Sequence, residues 1–181
     1  MLSLISLLSA IVAGILYIIE DSILLLLAAI MVLVSGFFDA LDGKVARISS
    51  KASKRGDFVD HVIDRYSDAI ILGAIAISFR CEMSFGLFAV IGVLLASYMG
   101  TQAQALGLGR EYRGILGRAD RIAVLVIVSI IQYALELGDS NFATDIFDYS
   151  ILSWMMVYFG LAGNITALQR ARVIWKSLPK A

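Results

Sequence analysis

ILLLLAAIMVLVSGFFDALDGKVAR, residues 23–47, is the stretch on which the reading of this chain turns. From Ile23 to Phe38 it carries no charge, and then Asp39, Asp42, Lys44 and Arg47 follow in quick succession. A helix needs about 20 apolar residues to cross the hydrocarbon layer, and there its backbone groups must be satisfied within the segment. Here a block of membrane length runs directly into carboxylates.

Working outward, five more blocks are long and apolar: Leu2 to Ile19 before this stretch, then Gly56 to Phe79, Met83 to Leu108, about Ile122 to Leu137, and Ser150 to about Trp175. The 181 residues are 60% hydrophobic and only 17% charged, with a mean hydropathy of +0.86. Soluble domains carry roughly 25% charged residues. The expected fold class is an all-α integral membrane protein, a six-transmembrane-helix bundle forming one domain over residues 1–181. A net charge of zero argues against a nucleic-acid partner, and the lone Cys81 excludes a disulfide framework or a cysteine-based zinc site. No cationic leader with a small-residue cleavage site precedes the first block, which is expected to stay in place. No internal repeat or low-complexity tract interrupts the chain.

Cationic residues accumulate in cytoplasmic loops. Lys44, Arg47, Lys51, Lys54 and Arg55 fall between the second and third blocks, Arg110, Arg113, Arg118 and Arg121 between the fourth and fifth, and Arg170, Arg172, Lys176 and Lys180 at the C-terminus. The opposite loops carry Glu20, Asp21, Glu82, Asp139, Asp145 and Asp148, with Arg80 as their only arginine or lysine. Both termini are therefore expected on the cytoplasmic side of a multi-pass protein of the cell membrane, with Gly138 to Tyr149 an acidic external loop.

Acids within membrane segments are costly and face a partner or a water-filled cavity. Asp39 and Asp42 stand three apart, and Asp57, Asp60, Asp64 and Asp68 follow at spacings of three, four and four, which keeps each set on one helical face. Like charges this close raise one another's pKa and need cations. Oxygen-only donors select a hard ion, with Mg²⁺ first and Mn²⁺ or Ca²⁺ as alternatives, and a pair of ions suits phosphoryl chemistry. His61 is read as a structural hydrogen-bonding group. Gly43, Ala46 and Gly56 border the acids; small residues there admit a flat base or a diphosphate, and equally permit close helix packing. Arg47 suits diphosphate oxygens or simply adds to the cytoplasmic charge.

In order, Asp39, Asp42, Gly43, Ala46, Arg47, Gly56, Asp60 and Asp64 form the pattern D-x-x-D-G-x-x-A-R, eight residues, G-x-x-x-D-x-x-x-D. The pattern resembles the signature of the CDP-alcohol phosphotransferases. The resemblance implies a six-helix membrane enzyme, usually a homodimer, that transfers a substituted phosphoryl group from a CDP-alcohol, commonly a CDP-lipid, to an acceptor hydroxyl and releases CMP. It implies metal ligation by Asp39, Asp42 and Asp60, and for Asp64 either metal contact or the role of general base. Asp39, Gly43, Ala46, Arg47 and Gly56 would contact the nucleotide. In the family a Pro-Asn-x-x-Thr-like turn often opens the first helix; here Ser3 stands where the Thr is expected and the Pro and Asn have no counterpart, which reads as a start truncated or cut from a larger protein.

Arg110, Arg113, Arg118 and Arg121, with Arg170 and Arg172, are expected to form an anion pocket on the acidic side, because guanidinium binds phosphate bidentately. A phosphorylated polyol leads the acceptor candidates, and the G-x-x-x-D-x-x-x-D-R-Y-x-D run resembles inositol-phosphate-using archaeal or bacterial members; glycerol phosphate and serine stay open. Arg65 and Asp68 are expected to pair on their helix. Gly107 and Gly109 form a G-x-G without a preceding strand, and Asn164-Ile165-Thr166 is a sequon inside a predicted helix. An ion or proton transporter would also use membrane acids but has no need of Gly43, Ala46 and Arg47 beside them, and a membrane prenyltransferase needs more helices.

Overall fold

The apolar blocks fold as helices that pack through small residues, as expected where lipid removes the hydrophobic drive between helices and contact distance decides affinity. In a computed structural model, residues 2–48, 53–109, 111, 113–138 and 148–179 are described, with 46–48 described by backbone alone. Among the described residues six helices follow in order: α1 (Leu2–Ile18), α2 (Ser22–Ile48), α3 (Lys54–Ile77), α4 (Met83–Ala105), α5 (Arg118–Leu137) and α6 (Ile151–Ser177). Neighbour contacts close a ring in the order α1, α2, α5, α6, α4, α3 and back to α1.

Glycines and serines set the approach distances. Gly163 lies so near α4 that a Cβ there would sit 2.6 Å from the Gly92 carbonyl carbon, so α4 and α6 cross backbone to backbone. On α1 the buried stripe Ser6, Ser9, Ala10, Ala13, Gly14 and Tyr17 recurs at helical spacing. Ser6 Oγ donates to the Ser35 carbonyl of α2 at 2.9 Å, and the Tyr17 hydroxyl meets Ser129 Oγ of α5 at 2.7 Å.

Among the described residues three helices, α2, α4 and α6, are long and apolar enough to cross a membrane, and α1 is apolar but shorter. Helices α3 and α5 carry the charges Asp57, Asp60, Asp64, Arg65, Asp68, Arg118, Asp120, Arg121 and Glu136 within their span. Two boundaries differ from the sequence expectation. Helix α4 stops at Ala105, since Gly107 turns to φ +77 just beyond it. Helix α5 starts at Arg118, where Gly117 N donates to Asp120 Oδ2 at 3.1 Å, so Arg118 and Arg121 belong to its first turn and not to the loop. Most of the expected acidic external loop, 139–147, lies outside the described residues.

A polar clasp ties the helices at one end. Arg80, buried between α3 and α4, grips Glu136 of α5 through Nε at 2.6 Å and Nη2 at 2.9 Å and donates to the Ile19 carbonyl at 3.3 Å. Ser22 of α2 and Gln132 of α5 also donate to Glu136, at 2.6 and 3.1 Å, while Ser150 and Ser153 donate to the Arg80 carbonyl. Burial pushes the neighbouring Cys81 thiol up to about 11, which keeps it protonated and unreactive at neutral pH.

Candidate active site

The carboxylates gather at the other end, where α2 finishes and α3 begins. Ser53 caps α3 by accepting the Gly56 amide on Oγ at 3.1 Å, and the helix then presents Asp57, Asp60, Asp64 and Asp68 at successive turns. Ser3, at the start of α1, donates to Asp42. Arg118, from the first turn of α5, donates to Asp39 and places Nη1 2.5 Å from Asp64 Oδ1. Elements distant in sequence thus converge on the pair of acidic stripes expected from α2 and α3.

Asp64 is the most deeply set of these acids, 7% exposed. Its Oδ1 touches Arg118 as a charge contact without the alignment of a hydrogen bond, and so stays buried without a donor. Ligand atoms of Asp60, His61 and Asp64 lie within 4.8 Å of one another. Two carboxylates and an imidazole within reach of one another fit a divalent cation, with the Arg118 guanidinium as the cation now beside them. His61, set aside as structural in the sequence reading, comes within ligand reach, and it also sits 3.5 Å from Asp57 through Nε2, which is the structural contact. Asp39 and Asp42 face Ser3 and Arg118 and stand outside that tight set. Gly43 lies on α2, while the side chains of Ala46 and Arg47 lie outside the described residues. Gly56 leaves room: a Cβ there would meet only Ser53 Oγ, at an ordinary 3.4 Å.

Beside Asp64 opens a cavity of about 160 Å³ walled by Arg65, Glu111, Arg118, Arg121 and Arg170. Of the arginines expected to form an anion pocket, Arg118, Arg121 and Arg170 line it. Arg113 does not: its side chain is 79% exposed, because its own amide is held by Glu111 Oε1 at 2.8 Å and its carbonyl by Arg170 Nε at 2.7 Å, which turns the guanidinium outward. Arg172 is exposed as well, and Arg110 lies outside the described residues. Arg65 joins the wall unexpectedly. It lies 3.5 Å from Asp68, as its spacing suggests, but Arg121 is the closer partner of that acid at 2.7 Å. Nothing in the local sequence encodes the Ser3–Asp42 and Arg118–Asp39 pairs, whose members are 39 and 79 residues apart.

The arrangement has a counterpart among known proteins: the sequence profile of the CDP-alcohol phosphatidyltransferases matches residues 1–168. The chain belongs to the CDP-alcohol phosphatidyltransferase family. Among relatives in that family, the archaetidylinositol phosphate synthase of Pyrococcus horikoshii is 37% identical over 130 residues, 72% of this chain and 65% of that protein. The synthase of the same name from Methanothermobacter thermautotrophicus is 30% identical over 158 residues, 85% of this chain and 72% of the relative. The chain therefore spans about two thirds of the length of these relatives. The fold matches that of Mycobacterium tuberculosis phosphatidylinositol phosphate synthase with CDP-DAG bound, at a TM-score of 0.73 and 21% identity over 100% of this chain and 92% of that one. A second crystal structure of that enzyme, in complex with manganese and citrate, aligns at a TM-score of 0.75 with 21% identity, over 100% of this chain and 87% of the other. Membership in the CDP-alcohol phosphatidyltransferase family and three long apolar helices mark the chain as a membrane protein of the transferase class.

Proposed function

We propose that the protein transfers a phosphatidyl-type group from a CDP-lipid to a hydroxyl of inositol phosphate and releases CMP. The observation that carries this reading is Asp64, buried at the boundary between the other motif acids and a cavity walled by Arg65, Arg118, Arg121 and Arg170. Such a wall suits a phosphorylated acceptor, since each guanidinium offers a forked donor to phosphate oxygens. The names of the relatives support inositol phosphate over glycerol phosphate or serine.

In this reading Asp39, Asp42 and Asp60 hold divalent metal, Mg²⁺ or Mn²⁺, as a pair of ions, and Asp64 faces both metal and acceptor. Held by these residues, divalent metal would supply charge neutralisation of the diphosphate and polarisation of the reacting phosphorus. Asp39, Gly43, Ala46, Arg47 and Gly56 receive the nucleotide, with the open space at Gly56 available to the ligand. Arg118 and Arg121 hold the acceptor's phosphate so that one of its hydroxyls faces Asp64, and Arg170 completes the wall while tied to the Arg113 and Ala96 carbonyls. Asp64 accepts that hydroxyl's proton as the oxygen bonds to the lipid-bearing phosphorus; the bond from that phosphorus to the CMP oxygen breaks, and CMP leaves with the electron pair. Six membrane-spanning helices form a single catalytic domain over residues 1–181, with both termini and the site on the cytoplasmic face, and the enzyme works as a homodimer.

The test is product mass spectrometry and CMP release with CDP-diacylglycerol and CDP-archaeol as donors, against inositol phosphate, inositol, glycerol phosphate and serine as acceptors, with and without EDTA. A phosphoinositol product formed only with metal is expected. Equal use of inositol and inositol phosphate refutes the phosphorylated acceptor, and full turnover in EDTA refutes the metal site.

A further inference from the structure

The sequon residue Thr166 is buried in the middle of α6, 0% exposed, and no part of the proposed chemistry touches it. Its hydroxyl is nevertheless engaged by the segment that leads into α5: Ile115 N donates to Thr166 Oγ1 at 3.1 Å. The preceding Gly114 adopts φ +147, and a Cβ there would lie 2.2 Å from Thr166 Cγ2, so the segment passes α6 at a distance that only glycine allows. One turn further along α6, Arg170 donates from Nε to the Arg113 carbonyl and from Nη1 to the Ala96 carbonyl of α4 at 2.6 Å. Leu116, 2% exposed, plugs the same segment into the core. Two residues later comes Arg118, which reaches Asp39 and Asp64.

We infer that Thr166 is a positioning residue for acceptor recognition: it clamps residues 113–117 to α6 and thereby sets where Arg118 and Arg121 stand in the cavity wall. The inference rests on the proposed acceptor role of that cavity. A short segment pinned at Ile115 has little freedom left before α5 begins, so a displacement at the clamp passes to Arg118. Among the described residues, Thr166 and Ile115 make no hydrogen bond to α2 or α3, and the clamp reaches the donor side through Arg118. Loss of the clamp therefore falls first on the acceptor and reaches the CDP-lipid only through Arg118.

The experiment compares T166V, T166S and G114A in the full chain in nanodiscs, reading KM for inositol phosphate, KM for CDP-lipid, kcat, and hydrogen–deuterium exchange of residues 113–121. T166V leaves the Ile115 amide without a partner and should raise the acceptor KM about tenfold, with the CDP-lipid KM within twofold and exchange accelerated in 113–121. T166S keeps the acceptor oxygen and should restore the wild-type acceptor KM. G114A, which must push the segment off α6, should raise the acceptor KM at least as far as T166V. If T166V does not fold, T166C, with a weakly accepting sulfur in place of the hydroxyl, serves the same comparison. An unchanged acceptor KM in T166V or T166C, or equal rises in both KM values, overturns the inference while the proposed function stands. A wild-type chain that releases no CMP overturns the proposed function and takes the acceptor role of the clamp with it.

Discussion

Replacing Arg118 by Gln should move two affinities in opposite directions. The guanidinium donates to Asp39, lies 2.5 Å from Asp64 and lines the acceptor cavity, so it competes with metal for two carboxylates and also faces the acceptor. Its side chain is 19% exposed, and its two acidic partners are 21% and 10% exposed, so water screens the contacts only in part. A hydrogen bond to a charged group contributes about 1.5–3 kcal/mol, and Gln keeps a neutral fraction of it. Loss of about 1.4 kcal/mol of competition corresponds to a tenfold tighter metal site, and loss of a similar contact to acceptor phosphate corresponds to a tenfold higher KM. Mn²⁺ titration followed by electron paramagnetic resonance, without nucleotide, reads the first effect; initial rates of CMP release at varied inositol phosphate read the second. Arg118→Lys keeps the charge and should stay near wild type in metal affinity. If metal binding weakens or does not change in Arg118→Gln, the guanidinium does not compete for those carboxylates. If the acceptor KM stays put, the cavity does not receive the phosphate.

Asp39→Asn, Asp42→Asn and Asp60→Asn should each cut CMP release by at least about tenfold and weaken Mn²⁺ binding; normal turnover in all three would remove these acids from the metal site. Asp64→Asn should lower turnover by about 10² to 10⁴ with CDP-lipid binding largely intact, as equilibrium binding of the labelled donor would report, whereas collapse of donor binding would make Asp64 a ligand and not a base. Glu136→Ala strands Arg80 as a buried unpaired cation and should destabilise the fold by about 3–5 kcal/mol; thermal unfolding in detergent should recover much of that loss in the Arg80→Met, Glu136→Leu double variant.

Apolar block lengths carry the helix order, because lipid imposes a minimum span and charge marks the ends. The carboxylate faces of α2 and α3 are equally legible, since spacings of three and four fix a side of a helix whatever surrounds it. The arginines are less so. Arg113 and Arg118 look alike as loop residues of one basic run, yet Arg118 enters a helix and reaches two acids while Arg113 turns outward, held by Glu111 and Arg170 through its backbone. Arg170 reads as an anion ligand by composition and is already engaged by two main-chain carbonyls. Such differences arise from where segments meet in space, which local pattern does not encode. Helices α3 and α5 are the more charged ones because the site is built into them, through Asp60 and Asp64 on α3 and Arg118 and Arg121 on α5.

The Arg80–Glu136 clasp gives the bundle a mechanical polarity. At that end α1, α2, α5 and α6 are cross-linked to the α3–α4 turn through a desolvated ion pair. At the opposite end the Arg118 guanidinium links Asp39 of α2 to Asp64 of α3 among mutually repelling acids. The molecule is built as tongs, with the pivot beside Arg80 and the jaws at Asp39 and Asp60. Spin labels should report a broader distance distribution across the jaws than across the pivot, and one that narrows when divalent metal is added.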